Sequence, residues 1–426
     1  MNVTLAILLV GLLIFSAHLF ATIFDYARIP DVLPLMIVGL LIGPVFHLLS
    51  PQALGRPGDV FSMSALVIIL FQGGLEFNVR HLMDSLGPGV RLSIVNFICS
   101  VAIFSTMARW GLHWPWIEAA LLGTIGAATS SAVVIPLSQK LRVEPLTRAM
   151  VVLESAFSDV LCIVFTLALL EARNTHALNP LFIGLHIVKD FSVAVLIGSS
   201  VALVWASILK RVRRLDNSTL LTPALVCVVF GVTQLLGLSG AISALAFGVM
   251  LGNIEPFLKI IPPGWLSIEP LQLDTIEISF IGEISFLIKT FFFVFIGLKI
   301  PLGDGAALLI GFVLAMVALA IRIGAVKLTI GNRFPVLDRR MCAIMTPKGL
   351  AAAVLAAIAA KSGISDGPIL QNLIYSLILF SIIATAVLSF LLENGRLQWP
   401  YTRVFPDNSS QPAEPSLVVP LNEIPQ

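Results

Sequence analysis

The sequence predicts an all-α polytopic membrane protein, on three observations. Hydrophobic residues make up 58% of the 426 and charged residues only 12%, against about 25% charged in soluble domains. Apolar stretches of roughly 20 residues, the length that crosses a bilayer, recur along the chain. Lysine and arginine collect in alternate loops, as they do on the cytoplasmic side of membrane proteins.

The apolar stretches predict about thirteen spans, at roughly 3–24, 29–49, 61–78, 88–110, 117–138, 145–171, 180–209, 219–236, 240–252, 276–298, 304–330, 340–361 and 367–392. The first lacks a small-residue cleavage site and reads as a retained helix rather than a signal peptide. The ninth is short, so a shifted boundary or a re-entrant segment is an alternative there. With the N-terminus outside, the inner loops and tail hold Arg28, Arg80, Arg91, Lys140, Arg142, Arg148, Lys210, Arg211, Arg213, Arg214, Lys259, Lys327, Arg333, Arg339, Arg340, Arg396 and Arg403. The outer loops hold only Arg56, Arg109, Arg173, Lys299 and Lys361. An odd number of spans therefore puts the N-terminus outside and the C-terminus in the cytoplasm, in a cell or bacterial inner membrane. Residues 1–395 form the membrane domain. Residues 396–426, rich in proline and polar groups, read as a short disordered cytoplasmic tail. The net charge of +2 gives no reason to expect a nucleic-acid partner. Cys99, Cys162, Cys227 and Cys342 all fall in apolar stretches and read as buried thiols without metal spacing.

Two spans carry helix-weakening residues at mid-depth. The fifth contains Gly123, Gly126, Thr129, Ser130, Ser131 and Pro136. The twelfth contains Thr346, Pro347, Lys348 and Gly349. Proline removes a backbone donor and glycine weakens a helix, and unwound backbone at membrane depth is tolerated only in a protein-lined or wet cavity. Taking about 1–171 as one repeat, the helix at about 180–209 as a linker and about 219–392 as a second repeat, both breaks fall in the fifth helix of their half. The halves start on opposite sides, so the repeat is inverted, and interrupted helices at matching positions of inverted halves point to a transporter's binding site. The plainer alternative is a pair of kinked packing helices.

The sixth span supplies the chemistry. Asp159 sits near its centre, and a charged side chain at the bilayer centre costs about 2.5–3.5 kcal/mol on insertion scales. A buried carboxylate can hold either a proton or a cation, and competition for it couples the two fluxes. A sodium or potassium ion takes hard oxygen ligands. Ser155, four residues before Asp159 and on nearly the same helix face, Ser158, a freed carbonyl near Thr129 and water could supply them. The alternative for Asp159 is a satisfied contact between helices. Glu154 points to another side and is the natural partner of Arg322, a buried guanidinium that does not lose its proton. Glu76, at the end of the third span, reads equally as part of the ion's path and as an interfacial acid. Lys348 is placed to offset the half-helix dipoles at the second break, and Lys289, mid-span in the tenth helix, reads either as an acid's partner or as a charge carrier. His18, His47, His113 and His186 show no ligand spacing.

With these residues in view, the chain resembles the monovalent cation–proton antiporter superfamily, of the sodium/proton exchanger (NhaP/NHE-like) type. The resemblance covers essentially residues 1–392, carried by GLLIGP (39–44), LFQGGLE (70–76), ATSSAVV (128–134), ESAFSDVLCIV (154–164), TFFFVFIGL (290–298), Arg322 and MTPKGLAAAVLA (345–356). It implies an NhaA-like fold with crossed, broken helices 5 and 12, a six-helix core domain, and a second domain forming a homodimer interface. It implies Asp159 as the ion- and proton-binding acid, a structural Glu154–Arg322 pair, and ligation of the monovalent cation by the Ser155 hydroxyl and the Thr129 backbone. The chain departs from the superfamily at Ser158, where the electroneutral branch has Asn and the electrogenic branch a second Asp. It departs again at Thr129, Ser130 and Ser131, where an acid is usual and where the serine-rich form resembles the potassium-efflux branch. Lys289 lies in the helix where the electrogenic branch places a lysine. The function implied is exchange of Na⁺ (or K⁺ or Li⁺) for H⁺, serving pH homeostasis. A single central acid favours one-for-one, electroneutral exchange without a cofactor. The alternatives are a cation-coupled solute symporter on the same scaffold and a degenerate, non-transporting sensor. A membrane-embedded enzyme would need a nucleophile–base pair or a histidine cluster, and the sequence shows neither.

Overall fold

Glycine, proline and short polar residues punctuate this chain, and the helices stop where they cluster. The computed structural model describes residues 8, 11–19, 32–49, 51–76, 79–141, 143–175, 180–215, 218–255, 273–331 and 334–393. Residues 11–19 are helical. They are followed by α1 (Val32–Leu40, continuing into a π turn at Leu41–Val45), α2 (Pro51–Glu76), α3 (Val79–Gly111), α4 (Trp116–Ala127), α5 (Ser131–Lys140), α6 (Pro145–Thr175) and α7 (Pro180–Val212). The second part comprises α8 (Leu221–Leu235), α9 (Gly240–Gly252), α10 (Thr275–Leu298), α11 (Gly305–Thr329), α12 (Val336–Ile344), α13 (Leu350–Lys361) and α14 (Gly367–Glu393). Among the described residues there is no strand.

Among the described residues, eight segments are long and apolar enough to cross a membrane, and Val32–Val45, Met63–Leu75, Gly240–Gly252 and Leu350–Lys361 are shorter apolar helices. With the helix at 11–19 they match the thirteen predicted spans one for one. The tail beyond residue 393 and the segment 256–272 lie outside the described residues.

The inverted repeat is visible in how helices touch. Spans two and ten (α1 and α10) cross at Gly39 and Gly297, where a Cβ on either glycine would collide with a backbone carbonyl of the other helix, that of Val294 or of Met36. Spans three and nine (α2 and α9) cross in the same way at Gly74 and Gly248, against Leu245 and Phe71. Inverting the halves exchanges span two with nine and span three with ten, so one glycine crossing maps onto the other. Small residues at such contacts let helix backbones approach closely where no hydrophobic force drives association. The pairs α3·α6 and α11·α14 also pack together and correspond in the same way.

A capping box at Asp274 and Glu277 opens α10. Glu277 also receives Arg213 at 2.6 Å, which ties the end of α7 to the start of α10. A core cluster built on Phe71, Ala202, Trp205, Val226, Ala244 and Phe247 joins α2, α7, α8 and α9. Another joins Leu92, Val134, Met150, Val326, Met341 and Leu392, from α3, α5, α6, α11, α12 and α14. Of the cysteines, Cys162 and Cys342 are buried, Cys99 is half-buried and Cys227 is exposed. Cys227 lies on α8, whose outer face carries exposed Val228, Val232 and Leu235. An apolar stretch in such a protein has a lipid-facing side as well as a packed one.

Candidate functional site

Helix propagation fails in both predicted spans at the polar, glycine- and proline-bearing segments. The first interruption is Ala128–Ser130, between α4 and α5. The second is Met345–Gly349, between α12 and α13. The two cross in contact. The Ser130 N–H donates to the Pro347 carbonyl at 2.8 Å, so a backbone donor freed by one break meets an acceptor freed by the other. Gly349 is required at this point, because a Cβ there would run into the Ser130 side chain.

Each break frees a further donor, and the same device satisfies both. The Thr129 N–H donates to Ser158 Oγ at 3.0 Å, and the Lys348 N–H donates to Ser381 Oγ at 2.9 Å. Each serine also reaches back to its own helix, Ser158 to the Ser155 carbonyl and Ser381 to the Ile378 carbonyl, both at 2.9 Å. Ser158 stands on span six and Ser381 on span thirteen, which are equivalent positions of the two repeats. The sequence groups Ser158 with the ion's ligands; in the structure its hydroxyl faces the broken backbone. Leaving a buried donor unsatisfied costs about 1–3 kcal/mol. Ser381→Ala should therefore lower the thermal unfolding midpoint of the detergent-purified protein, whereas Ser381→Thr, which keeps the hydroxyl, should restore most of it.

Lys348 carries its charge to the other half-helix. Its Nζ donates to the carbonyl of Ala127, the last residue of α4, at 3.2 Å. A cation at a helix C-terminus is favoured by the dipole, and Lys348 is only 2% exposed.

Glu154 and Arg322 are both fully buried and meet in a two-pronged contact. Arg322 Nη2 donates to Glu154 Oε2 at 2.9 Å, and Nη1 lies 2.7 Å from Oε1. Arg322 Nε donates to the Cys342 carbonyl at 3.0 Å. The Thr129 hydroxyl donates to Glu154 Oε1 at 3.4 Å, and the Ser93 hydroxyl to the Glu154 carbonyl at 3.0 Å. One ion pair thus joins α3, α6, α11, α12 and the first break.

Asp159 is 6% exposed, and no salt bridge to it is found among the described residues. Its Oδ2 accepts a hydrogen bond from Ser131 Oγ at 2.9 Å, while Oδ1 is buried with no hydrogen-bond partner. Lys348 and Glu154 are close enough to act on it electrostatically. The hydroxyl that reaches Asp159 is therefore that of Ser131, which the sequence places only among the residues of the break. Ser155 turns back to the Val152 carbonyl at 2.9 Å, as serine within a helix commonly does. Ser131 is the first residue of α5 and projects from the open end of that half-helix.

Glu76 closes α2, and its side chain lies outside what the structure describes. Lys289 is half-buried on α10. His18 packs edge-on against Phe286 with ring centroids 4.7 Å apart. Among the described residues no group of His, Cys, Asp and Glu is placed to hold a metal, and a monovalent ion held by one carboxylate, hydroxyls and carbonyls is not that kind of site.

The boundary between α6 and its neighbours α7 and α9 is incompletely filled. A cavity of about 430 Å³ is lined by Val164, Leu167, Asp190, Gln234, Ser239 and Ser362 among others. A second, of about 310 Å³, is lined by Ala156, Phe157 and Val160 of α6 facing Val195, Ser199 and Met250. Phe191 and Ile242 line both.

A family model described as sodium/hydrogen exchanger, transmembrane, matches residues 11–394. The chain is 25% identical over 380 residues to Na(+)/H(+) antiporter 1 of Methanocaldococcus jannaschii, covering 84% of this chain and 83% of that one. It is 27% identical over 194 residues to the K(+)/H(+) antiporter NhaP2 of Shewanella oneidensis, covering 44% of this chain and 33% of that one. The solved structure of the sodium proton antiporter MjNhaP1 from Methanocaldococcus jannaschii at pH 8 shares the fold, with a TM-score of 0.73 and 23% identity, covering 91% of this chain and 100% of that one. The family match takes in both breaks, the ion pair and Asp159, and the chain belongs to the transmembrane sodium/hydrogen exchanger family.

Proposed function

We propose that Asp159 is the site at which this cation/proton antiporter binds its two ions in turn. The observation that carries the reading is the state of the Asp159 carboxyl. It is buried beside the crossing of two broken helices and steadied on one oxygen by Ser131, and its other oxygen has no partner. Glu154 is already engaged by Arg322, which leaves Asp159 as the exchangeable acid. A cation entering beside Oδ1 gains the carboxylate, the Ser131 hydroxyl and carbonyls of the break, with water completing the shell. A proton neutralises the same group and excludes the cation. Neither Glu154 nor Lys348 is free to follow, because each is bound to a fixed partner.

Alternating access in this reading comes from the body holding both breaks (α3–α6 and α11–α14) moving against α1, α2 and α7–α10. The unfilled boundary between α6 and α7/α9 supports it. The second body would form a homodimer. The protein would sit in the cell inner membrane with its N-terminus outside, following the arginine and lysine bias. One central acid favours one cation per proton. The relatives named above are cation/proton antiporters, and nothing in the site favours solute symport.

The test is exchange in proteoliposomes, with a preset pH gradient and Na⁺, K⁺ or Li⁺ added in turn, the membrane potential clamped or free. Rates that do not respond to the clamp support one-for-one exchange, and a rate set by the potential refutes it. In the same assay Ser131→Ala should raise the cation concentration for half-maximal rate about tenfold. A hydrogen bond to a charged group is worth about 1.5–3 kcal/mol, and about 1.4 kcal/mol is tenfold in affinity. An unchanged value would remove Ser131 from the site.

A further inference from the structure

The cavity of about 430 Å³ gathers several helix ends around one acid. It is bounded by late turns of α6 (Val164, Leu167), the turn from α8 into α9 (Gly237, Leu238) and the residue that follows α13, Ser362. These ends share one side of the molecule, which is the outside in the orientation proposed above. Phe191 and Ile242 line this cavity and also the one of about 310 Å³ beside Ala156 and Val160 of α6, the two residues between which Asp159 falls in the chain. Leu167 is eight residues beyond Asp159, about 12 Å along the helix, so the two openings are stacked in depth with an apolar partition between them.

Among the described residues of the lining, Asp190 of α7 is the one charged side chain. It is half-buried, and among the described residues no hydrogen bond or ion pair to it is found. Its chain neighbour Lys189 is exposed and takes no part in the lining. Of the other charges nearby, Arg173 on α6 donates to the carbonyls of Ser362 at 3.3 Å and Gly363 at 2.9 Å, and Lys361 is exposed at the end of α13. The neutral polar groups of the lining have oxygen to offer. The Ser362 hydroxyl gives its proton to the Ala359 carbonyl at 2.8 Å. Gln234 Oε1 accepts the Gly240 N–H and Ser239 Oγ the Ile242 N–H, both at 3.3 Å, and each of these oxygens keeps a lone pair. α8 and α13 end here and only α9 begins here, so two negative helix poles meet one positive pole.

We propose that this cavity is an ion vestibule in which Asp190 gathers hydrated monovalent cations on their way to or from Asp159. The proposal rests on the antiport reading for the identity of the ion. A cleft of one charge sign between low-dielectric walls focuses the field and raises the local concentration of counter-ions. The cation keeps its water shell and meets Asp190, Gln234, Ser239 and Ser362 through water. The vestibule therefore adds no stoichiometric site, and the exchange of one proton for one cation at Asp159 is unaffected. Phe191, next to Asp190, and Ile242 close off the inner opening until α6 moves against α7 and α9.

Thiol chemistry measures the charge of the vestibule without any transport. In purified protein carrying Ser362→Cys, methanethiosulfonate reagents of positive and negative charge are compared by their rates at that residue, read by peptide mass spectrometry. The positive reagent should be favoured, and adding Asp190→Asn should lower the ratio of the two rates about fivefold, since unit charges a few ångströms apart in a wet site interact only weakly. Asp190→Glu, which keeps the charge, should keep the ratio. The ratio responds in this way even if Asp159 is not the exchange site, so the two readings fail separately. In proteoliposomes, Asp190→Asn should raise the cation concentration for half-maximal exchange about fivefold on the face where the vestibule opens and leave the other face as it was. A reagent ratio unchanged by Asp190→Asn overturns the proposal, as does a half-maximal concentration that changes equally on both faces.

Discussion

Asp159→Asn should abolish exchange for Na⁺, K⁺ and Li⁺ alike while leaving the protein folded. The amide can still accept the Ser131 hydroxyl, so the packing beside the first break is kept. What it cannot do is carry a proton or a charge. Unit charges about 4 Å apart at an effective dielectric near 20 attract by about 4 kcal/mol, roughly a thousandfold in affinity. Proteoliposome exchange measures the loss, and the unfolding midpoint in detergent controls for folding. Normal exchange in this variant would place the site elsewhere.

Glu154→Gln should fail for the opposite reason. The pair it breaks is fully buried, and an amide leaves the Arg322 guanidinium charged and uncompensated. Removing one partner of a buried pair costs about 3–5 kcal/mol, a large part of the stability of most proteins. The expected result is a strong fall in folded yield and unfolding midpoint. Because Glu154 also receives Thr129, the first break should loosen with it. Removing the stranded charge as well, in Glu154→Gln with Arg322→Met, should recover part of the stability, since replacing both members of a buried pair is far less costly than replacing one. A single variant as stable as wild type would contradict the structural role of the pair. The two acids are thus separated by readout: Asp159 by transport, Glu154 by stability.

How much of this was legible in the sequence depended on the kind of signal. Apolar runs and glycine–proline clusters are local, and they placed the thirteen spans and both interruptions. The meeting of Glu154 with Arg322 could be argued from elimination, because a buried guanidinium needs an acid and few acids lie at membrane depth. The choice among Ser131, Ser155 and Ser158 could not. All three are short hydroxyls near Asp159, and which way each rotates depends on what the crossing leaves unsatisfied. Helix periodicity put Ser155 on the face of Asp159, but its own backbone took the hydroxyl. Ser131, outside that helix, comes into reach only when the half-helix is placed. Ser381 gave no signal at all. Its partner lies 33 residues away, and only the repeat symmetry makes it conspicuous.

The central claim is that a cation and a proton compete for one carboxyl. Its most direct measurement is proton release on cation addition to the purified, weakly buffered protein, followed with a pH dye. One proton should leave for each cation bound, and none should leave in Asp159→Asn. Cation binding without proton release, or the same release from the Asn variant, would contradict the account.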